Sequence, residues 1–117
     1  AQAWWLLLRQ DGAGRLWLER RPPAGIWAGL HCLPVYASRH ELDAALAPAA
    51  TQAVQDLPAF THVLTHRDLH LHPVLARGDA AAPAAHCAEP SAAGWFTPQQ
   101  WRSLGLPAPV RRLLDAL

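Results

Sequence analysis

Residues 3–8, Ala3-Trp4-Trp5-Leu6-Leu7-Leu8, are apolar without interruption, and Arg9 closes the run. A strand with one face in water alternates apolar and polar side chains, so an unbroken run of this length predicts a strand covered on both faces. It is far shorter than the roughly 18 apolar residues of a membrane-spanning helix. Asp11-Gly12-Ala13-Gly14 supplies turn chemistry, and Arg15 to Arg20 continues as a second strand, which predicts a hairpin over residues 3–20. A sheet with a doubly covered strand needs a packed layer on each side.

The rest of the chain supplies those layers. Arg21 to Leu30 holds two prolines and two glycines and reads as a loop, with a short strand over Leu30 to Tyr36 that Pro34 confines to an edge or bulge. Ser38 as N-cap with Glu41 three residues on predicts a capping box and a helix over Arg39 to Leu46, with Leu42, Ala45 and Leu46 on one face. Residues 47–59 either extend this helix or loop out. Phe60 to Thr65 and Asp68 to Leu75 read as a second strand pair, the latter alternating Leu69, Leu71 and Pro73 with Asp68, His70 and His72. Residues 77–90 are small, contain proline and read as a mobile loop. Gly94 to Thr97 returns to strand character. Thr97 caps and Pro98 starts a short helix to Ser103. Val110, Leu113, Leu114 and Leu117 form the stripe of a closing helix. The fold class expected is α+β, a mixed β-sheet sandwiched between helices, in a single domain over residues 1–117.

Composition narrows function mainly by exclusion. At 51% apolar and 16% charged residues the chain is not a disordered one. The net charge is +1 and every basic residue is Arg, so no dense cationic patch of the kind that marks a strongly basic nucleic-acid module is legible. The chain has no Met and reads as a domain cut from a larger protein. Cys32 and Cys87 lie far apart with no CxxC spacing and read as free thiols.

Catalytic machinery is scarce. The three glutamates, Glu19, Glu41 and Glu89, are not paired at helical spacing, and no phosphate-cradling glycine motif occurs. A binding role is favoured over an enzymatic one. Seven histidines invite a metal site, and His31-Cys32 and His86-Cys87 repeat a dipeptide, but none matches structural zinc spacing, so no metal site is assigned. Of the six tryptophans, Trp4, Trp5 and Trp17 are expected in the core, and Trp27 is expected to plug the gap between sheet and loop.

Three segments are more specific. Arg21-Pro22-Pro23-Ala24-Gly25-Ile26-Trp27-Ala28-Gly29-Leu30 with Pro34 resembles the "RP..G.W.GL...P" run of the C-terminal domain of the MutY adenine DNA glycosylases. Phe60-Thr61-His62-Val63-Leu64-Thr65-His66 is similar to that family's "F.H.F[ST]H" element, and Leu104 to Val110 with Leu113-Leu114 resembles its C-terminal ending. The resemblance spans residues 21–114. It implies a Nudix-like fold and a lesion-reading domain for 8-oxoguanine paired with adenine. It also implies that catalysis and an iron–sulfur cluster belong to a helical N-terminal domain, with no cofactor in this chain. The partners implied are double-stranded DNA carrying 8-oxoguanine·adenine pairs and that N-terminal domain, for a monomer in the bacterial cytoplasm with no membrane contact.

By the same resemblance the lesion-reading loop falls on Leu64, Thr65 and His66. The family usually has Phe where this chain has Leu64, and an aromatic where it has His31. Oxidation converts guanine N7 from an acceptor to an N–H donor, so a reader must offer an acceptor; the Thr65 hydroxyl is one, but it can also donate and alone discriminates poorly, where a fixed backbone carbonyl does better. His66 and Arg67 could hold an adjacent phosphate, which positions the strand without specifying it. By themselves these residues also read as a polar turn between two strands. The competing functions are a Nudix pyrophosphohydrolase, for which the stretch after Gly29 offers only Glu41 where several glutamates are needed, and a protein-interaction module.

Overall fold

A computed structural model of the chain describes residues 2–46, 53–77 and 93–117. Its organising pair is parallel. Strand β1 (Gln2–Gln10) runs beside β7 (Arg67–Arg77) through nine registered pairs, from Gln2 opposite Leu69 to Gln10 opposite Arg77. Both strands are largely buried, as the unbroken apolar run of β1 requires.

Around this pair the other strands are antiparallel. The hairpin to β2 (Leu16–Arg20) forms as expected, tied by Asp11, whose carboxylate accepts from the Ala13 and Arg15 backbone N–H groups. β2 also pairs with β3 (His31–Cys32) through Glu19 and Arg20 and with β8 (Gly94–Phe96) through Leu16 to Leu18. The strand expected over Leu30 to Tyr36 is instead two short ones. β3 pairs with β2, whereas β4 (Val35–Tyr36) pairs with β1. Pro34 lies between them with no N–H to give a ladder, and its carbonyl accepts from Leu7 N–H at 3.1 Å, so the chain crosses from one partner strand to the other there.

On the far edge of β7, β6 (Phe60–Leu64) pairs with residues 67–71 and β5 (Ala53–Asp56) with residues 74–77. β5 corrects the expectation that residues 47–59 extend a helix or loop out. β7 is two residues longer at its C-terminal end than expected, and its free edge there is completed by Ala53–Asp56. Residues 47–52 lie outside the described residues, as do residues 78–90 of the loop expected over 77–90; its first residue, Arg77, instead ends β7.

Helices cover both faces of the sheet. α1 (Arg39–Leu46) begins where Ser38 Oγ accepts from Glu41 N–H at 3.2 Å, and packs Leu42 and Leu46 with Leu7 and Val74. The capping box is displaced by one residue: Glu41 Oε2 accepts from Ala37 N–H, not from the N-cap itself. On the opposite face α2 (Pro98–Trp101) and α3 (Ala108–Asp115) bury Trp101, Val110 and Leu114 against Leu6, Leu8 and Leu71. α2 carries the reciprocal Thr97–Gln100 capping box but stops short of Ser103. α3 ends at Asp115, leaving Leu117, the last member of its expected stripe, 41% exposed. Among the described residues no helix is long and apolar enough to cross a membrane.

Candidate functional site

The register of the sheet places the residues of interest. Phe60 is opposite Leu71, which is opposite Trp4; His62 is opposite Leu69, which is opposite Gln2; and Leu64 is opposite Arg67. Registered residues share a face, and every second residue of a strand returns to it. One face of the sheet therefore carries, from its middle to its end, the rows Trp4–Leu71–Phe60, Gln2–Leu69–His62 and Arg67–Leu64. Thr65 and His66 are the two-residue connection beyond the last row, and both are exposed.

The four residues singled out for lesion reading thus come together at one end of the sheet, with unequal access. Leu64 is half-buried and packs on the core with Phe60. Thr65, His66 and Arg67 are exposed, and Arg67 Nη1 donates to Gln2 Oε1 at 3.3 Å. Gln2 carries no sequence signal for this role, because the parallel pairing of strands 65 residues apart brings it there. His62 was legible in principle, since alternation along β6 sets it on the face of Phe60 and Leu64.

The loop at 21–30 closes over the same face. Gly25 and Gly29 take left-handed backbone conformations at φ 97° and 72°, and between them Trp27 does so at φ 58°. For a bulky residue this geometry costs on the order of 1–3 kcal/mol and persists only when surroundings enforce it. Here Gly29 N–H donates to Pro22 O, Leu30 N–H to Trp27 O, and Arg21 Nε to Ile26 O. The Trp27 ring meets Trp4 edge-on at 5.6 Å and His62 at 6.1 Å, and the Arg21 guanidinium lies 4.9 Å over Trp4. Trp27 therefore fills the gap between sheet and loop, as its size suggested, and Trp4 and Trp17 are core residues. Trp5 is on the other face, half-buried, where it packs against the core cluster of Leu7, Leu42 and Val74 and stacks on His72 at 4.5 Å.

The remaining candidate chemistry is engaged or buried. On α1, Glu41 caps Ala37, and Asp43 accepts from Arg39 at 2.8 Å, as does Asp56 from β5. Among the described residues no three His, Cys, Asp or Glu side chains gather as a metal site, and the carboxylates of α1 do not fit one. Glu19 is buried and accepts from Trp17 Nε1 at 2.9 Å. Burial pushes the Cys32 thiol up to about 12, so it is a neutral, inert side chain. Cys87 lies outside the described residues. Desolvation, followed by the nearby Arg20 charge, holds His31 below the ordinary histidine value.

Comparison with known proteins agrees with this architecture. A family model described as the NUDIX domain matches residues 3–116. The C-terminal domain of mouse MUTYH, solved in complex with human PCNA, superposes with a TM-score of 0.74 at 19% identity, over 98% of this chain and 86% of that one. The NUDIX domain of Shewanella oneidensis NrtR, complexed with ADP ribose, gives 0.75 at 14% identity, over 98% and 85%. A MutT NUDIX hydrolase from Burkholderia pseudomallei gives 0.65 at 18% identity, over 97% and 95%. At these identities the likeness is one of fold.

Proposed function

Because the chain belongs to the NUDIX domain family, with a fold shared by NUDIX hydrolases and the C-terminal domain of MUTYH, we propose that it is the lesion-reading domain of an adenine DNA glycosylase. In this reading it recognises 8-oxoguanine in duplex DNA opposite adenine. Excision and the iron–sulfur cluster belong to an N-terminal catalytic domain of the same protein.

The observation that carries the reading is the β6–β7 connection. The short β6 and the long β7 hold Thr65 and His66 exposed at the sheet's end, beside an arginine already oriented by Gln2. Such a turn can reach a base edge without disturbing the core. Thr65 Oγ1 offers an acceptor for the N7–H of 8-oxoguanine; because the same hydroxyl can donate to guanine N7, selectivity requires the turn to fix its orientation or to present a backbone carbonyl beside it. His66 and Arg67 serve the neighbouring phosphate. The likeness to the MUTYH C-terminal domain and the three sequence elements in order support the same reading.

The hydrolase neighbours favour a second reading, metal-dependent pyrophosphate release from a nucleotide. It needs a set of metal-binding carboxylates, and those of α1 are a backbone cap and an ion pair.

Titrating the chain with otherwise identical duplexes carrying 8-oxoguanine·adenine or guanine·adenine tests both. The lesion duplex should bind more tightly. One good base contact is worth about 1–3 kcal/mol, roughly 5- to 150-fold, and Thr65→Ala should reduce that ratio while Thr65→Ser keeps it. Equal affinities, or release of pyrophosphate from 8-oxo-dGTP with Mg²⁺ or Mn²⁺, would overturn the lesion-reading assignment.

A further inference from the structure

We propose that the DNA contact does not stop at the turn but continues along a track of arginines, Arg67, Arg21, Arg20 and Arg111, that binds backbone phosphates across the 21–30 loop. The track rests on the DNA-binding reading above and extends it to residues outside the turn.

Arg9 also donates to a backbone carbonyl but is buried; among the arginines that reach the surface, these four share a way of holding the guanidinium group. Arg67 donates to the Gln2 side-chain amide, Arg21 to Ile26 O, Arg20 Nε to Gly29 O at 3.1 Å, and Arg111 to Arg102 O and Leu104 O at 3.2 and 2.8 Å. Each partner is a neutral acceptor. The side chain is oriented by a neutral group, not by an ion pair, and N–H donors remain for an anion.

The contrast lies elsewhere on the molecule. Arg15 pairs with Asp11 at 2.7 Å, and Arg39 with both Asp43 and Asp56. The ion pairs among the described residues sit on the hairpin turn and on the α1–β5 side, and none includes a member of the track. Asp68, next in sequence to Arg67, is opposite Val63 and so belongs to the other face of the sheet. A molecule of net charge +1 therefore carries its uncompensated positive charge unevenly.

The members are contiguous through what anchors them. Arg67 rests on Gln2 and Arg21 over Trp4, side chains two residues and about 7 Å apart on one face of β1. That is about twice the ~3.4 Å rise between charges on one DNA strand. Arg20 and Arg21 both grip the 21–30 loop, through Gly29 O and Ile26 O, and Arg20 is opposite His31, whose N–H donates to Gly105 O in the segment that Arg111 braces. Trp27 holds the loop in place between them.

A phosphate contact differs from base reading in what it does to affinity. Each one lost should lower the slope of log affinity against log salt by about 0.9, equally for damaged and undamaged DNA. Four contacts give a slope of about −3.6, a loss of roughly 150-fold when salt rises fourfold; three give roughly 40-fold.

The test is fluorescence anisotropy of the 117-residue chain with a labelled duplex carrying either 8-oxoguanine or guanine opposite adenine, from 25 to 100 mM salt. Arg20→Gln should weaken binding of both duplexes alike and flatten the slope by about 0.9, and Arg20→Gln/Arg67→Gln by about twice that. Arg39→Gln, which removes the same charge from the α1 side, should leave the slope unchanged. Circular dichroism melts confirm that each variant folds. An unchanged slope in Arg20→Gln, an equal change in Arg39→Gln, or no binding at 25 mM salt overturns the track. If Arg20→Gln flattens the slope while wild type shows no lesion preference, the track stands and the reading of the turn falls.

Discussion

Trp27 offers a test in which the usual ranking of two substitutions should reverse. In a loop, alanine normally gives a more stable protein than glycine by about 0.5–1 kcal/mol, because glycine has more backbone freedom to lose on folding. At φ 58° the order should invert. Trp27→Ala and Trp27→Gly both delete the same ring and the same contacts with Trp4 and His62, so the packing loss cancels between them. What remains is backbone. An L-residue in the left-handed region carries about 1–2 kcal/mol that glycine does not. Subtracting glycine's entropic penalty leaves about 0.5–1 kcal/mol in favour of Trp27→Gly. For a domain of this size that corresponds to roughly 2–6 °C in Tm. The measurement is urea unfolding of the two variants by intrinsic fluorescence, with equal m-values as the condition for comparison. If Trp27→Ala is as stable as Trp27→Gly, or more so, the loop does not enforce the left-handed backbone and the argument from strain fails.

Cys32 should be unreactive toward a thiol reagent such as DTNB in the folded Cys87→Ser variant and react fully only after denaturation, because burial holds the thiol protonated at a pKa of about 12; stoichiometric labelling of the native variant would contradict its placement. His31 should make stability fall on acidification. Its folded pKa lies below the unfolded value of about 6.5, so above that pH neither state is charged and the penalty is absent. As pH drops below about 6.5 the unfolded chain takes up a proton that the folded one resists, and the loss grows until the pH reaches the folded value. Melts of wild type and His31→Asn between pH 7.5 and 5 should converge toward low pH; parallel curves would count against the burial of this ring.

Much of the fold was legible because its signals are local. The apolar run of β1, the Asp11–Gly14 turn and the capping residues Ser38 and Thr97 each act within a few positions, and each element they predict is present. The candidate turn was legible to within a residue for the same reason: the strands expected over 60–65 and 68–75 leave His66-Arg67 between them, and the structure leaves Thr65-His66. The misses were interactions whose partners are distant in sequence. β5 is a strand because Arg77 and its neighbours need an edge partner, and nothing in Ala53–Asp56 announces that.

Composition and local pattern determined that this chain would form a mixed sheet covered on both faces, with an exposed polar turn at one end and few free carboxylates. Only the tertiary structure decided that β1 lies parallel to β7, which brings Gln2 to Arg67, and that Trp27 is forced into a left-handed backbone against Trp4. It also decided which arginines are neutralised by carboxylates and which are merely steered by carbonyls and an amide. The physical reason is common to all three. Periodicity specifies which face of an element is buried, but not which other element will cover it, and charge compensation depends on a partner that only folding brings within reach.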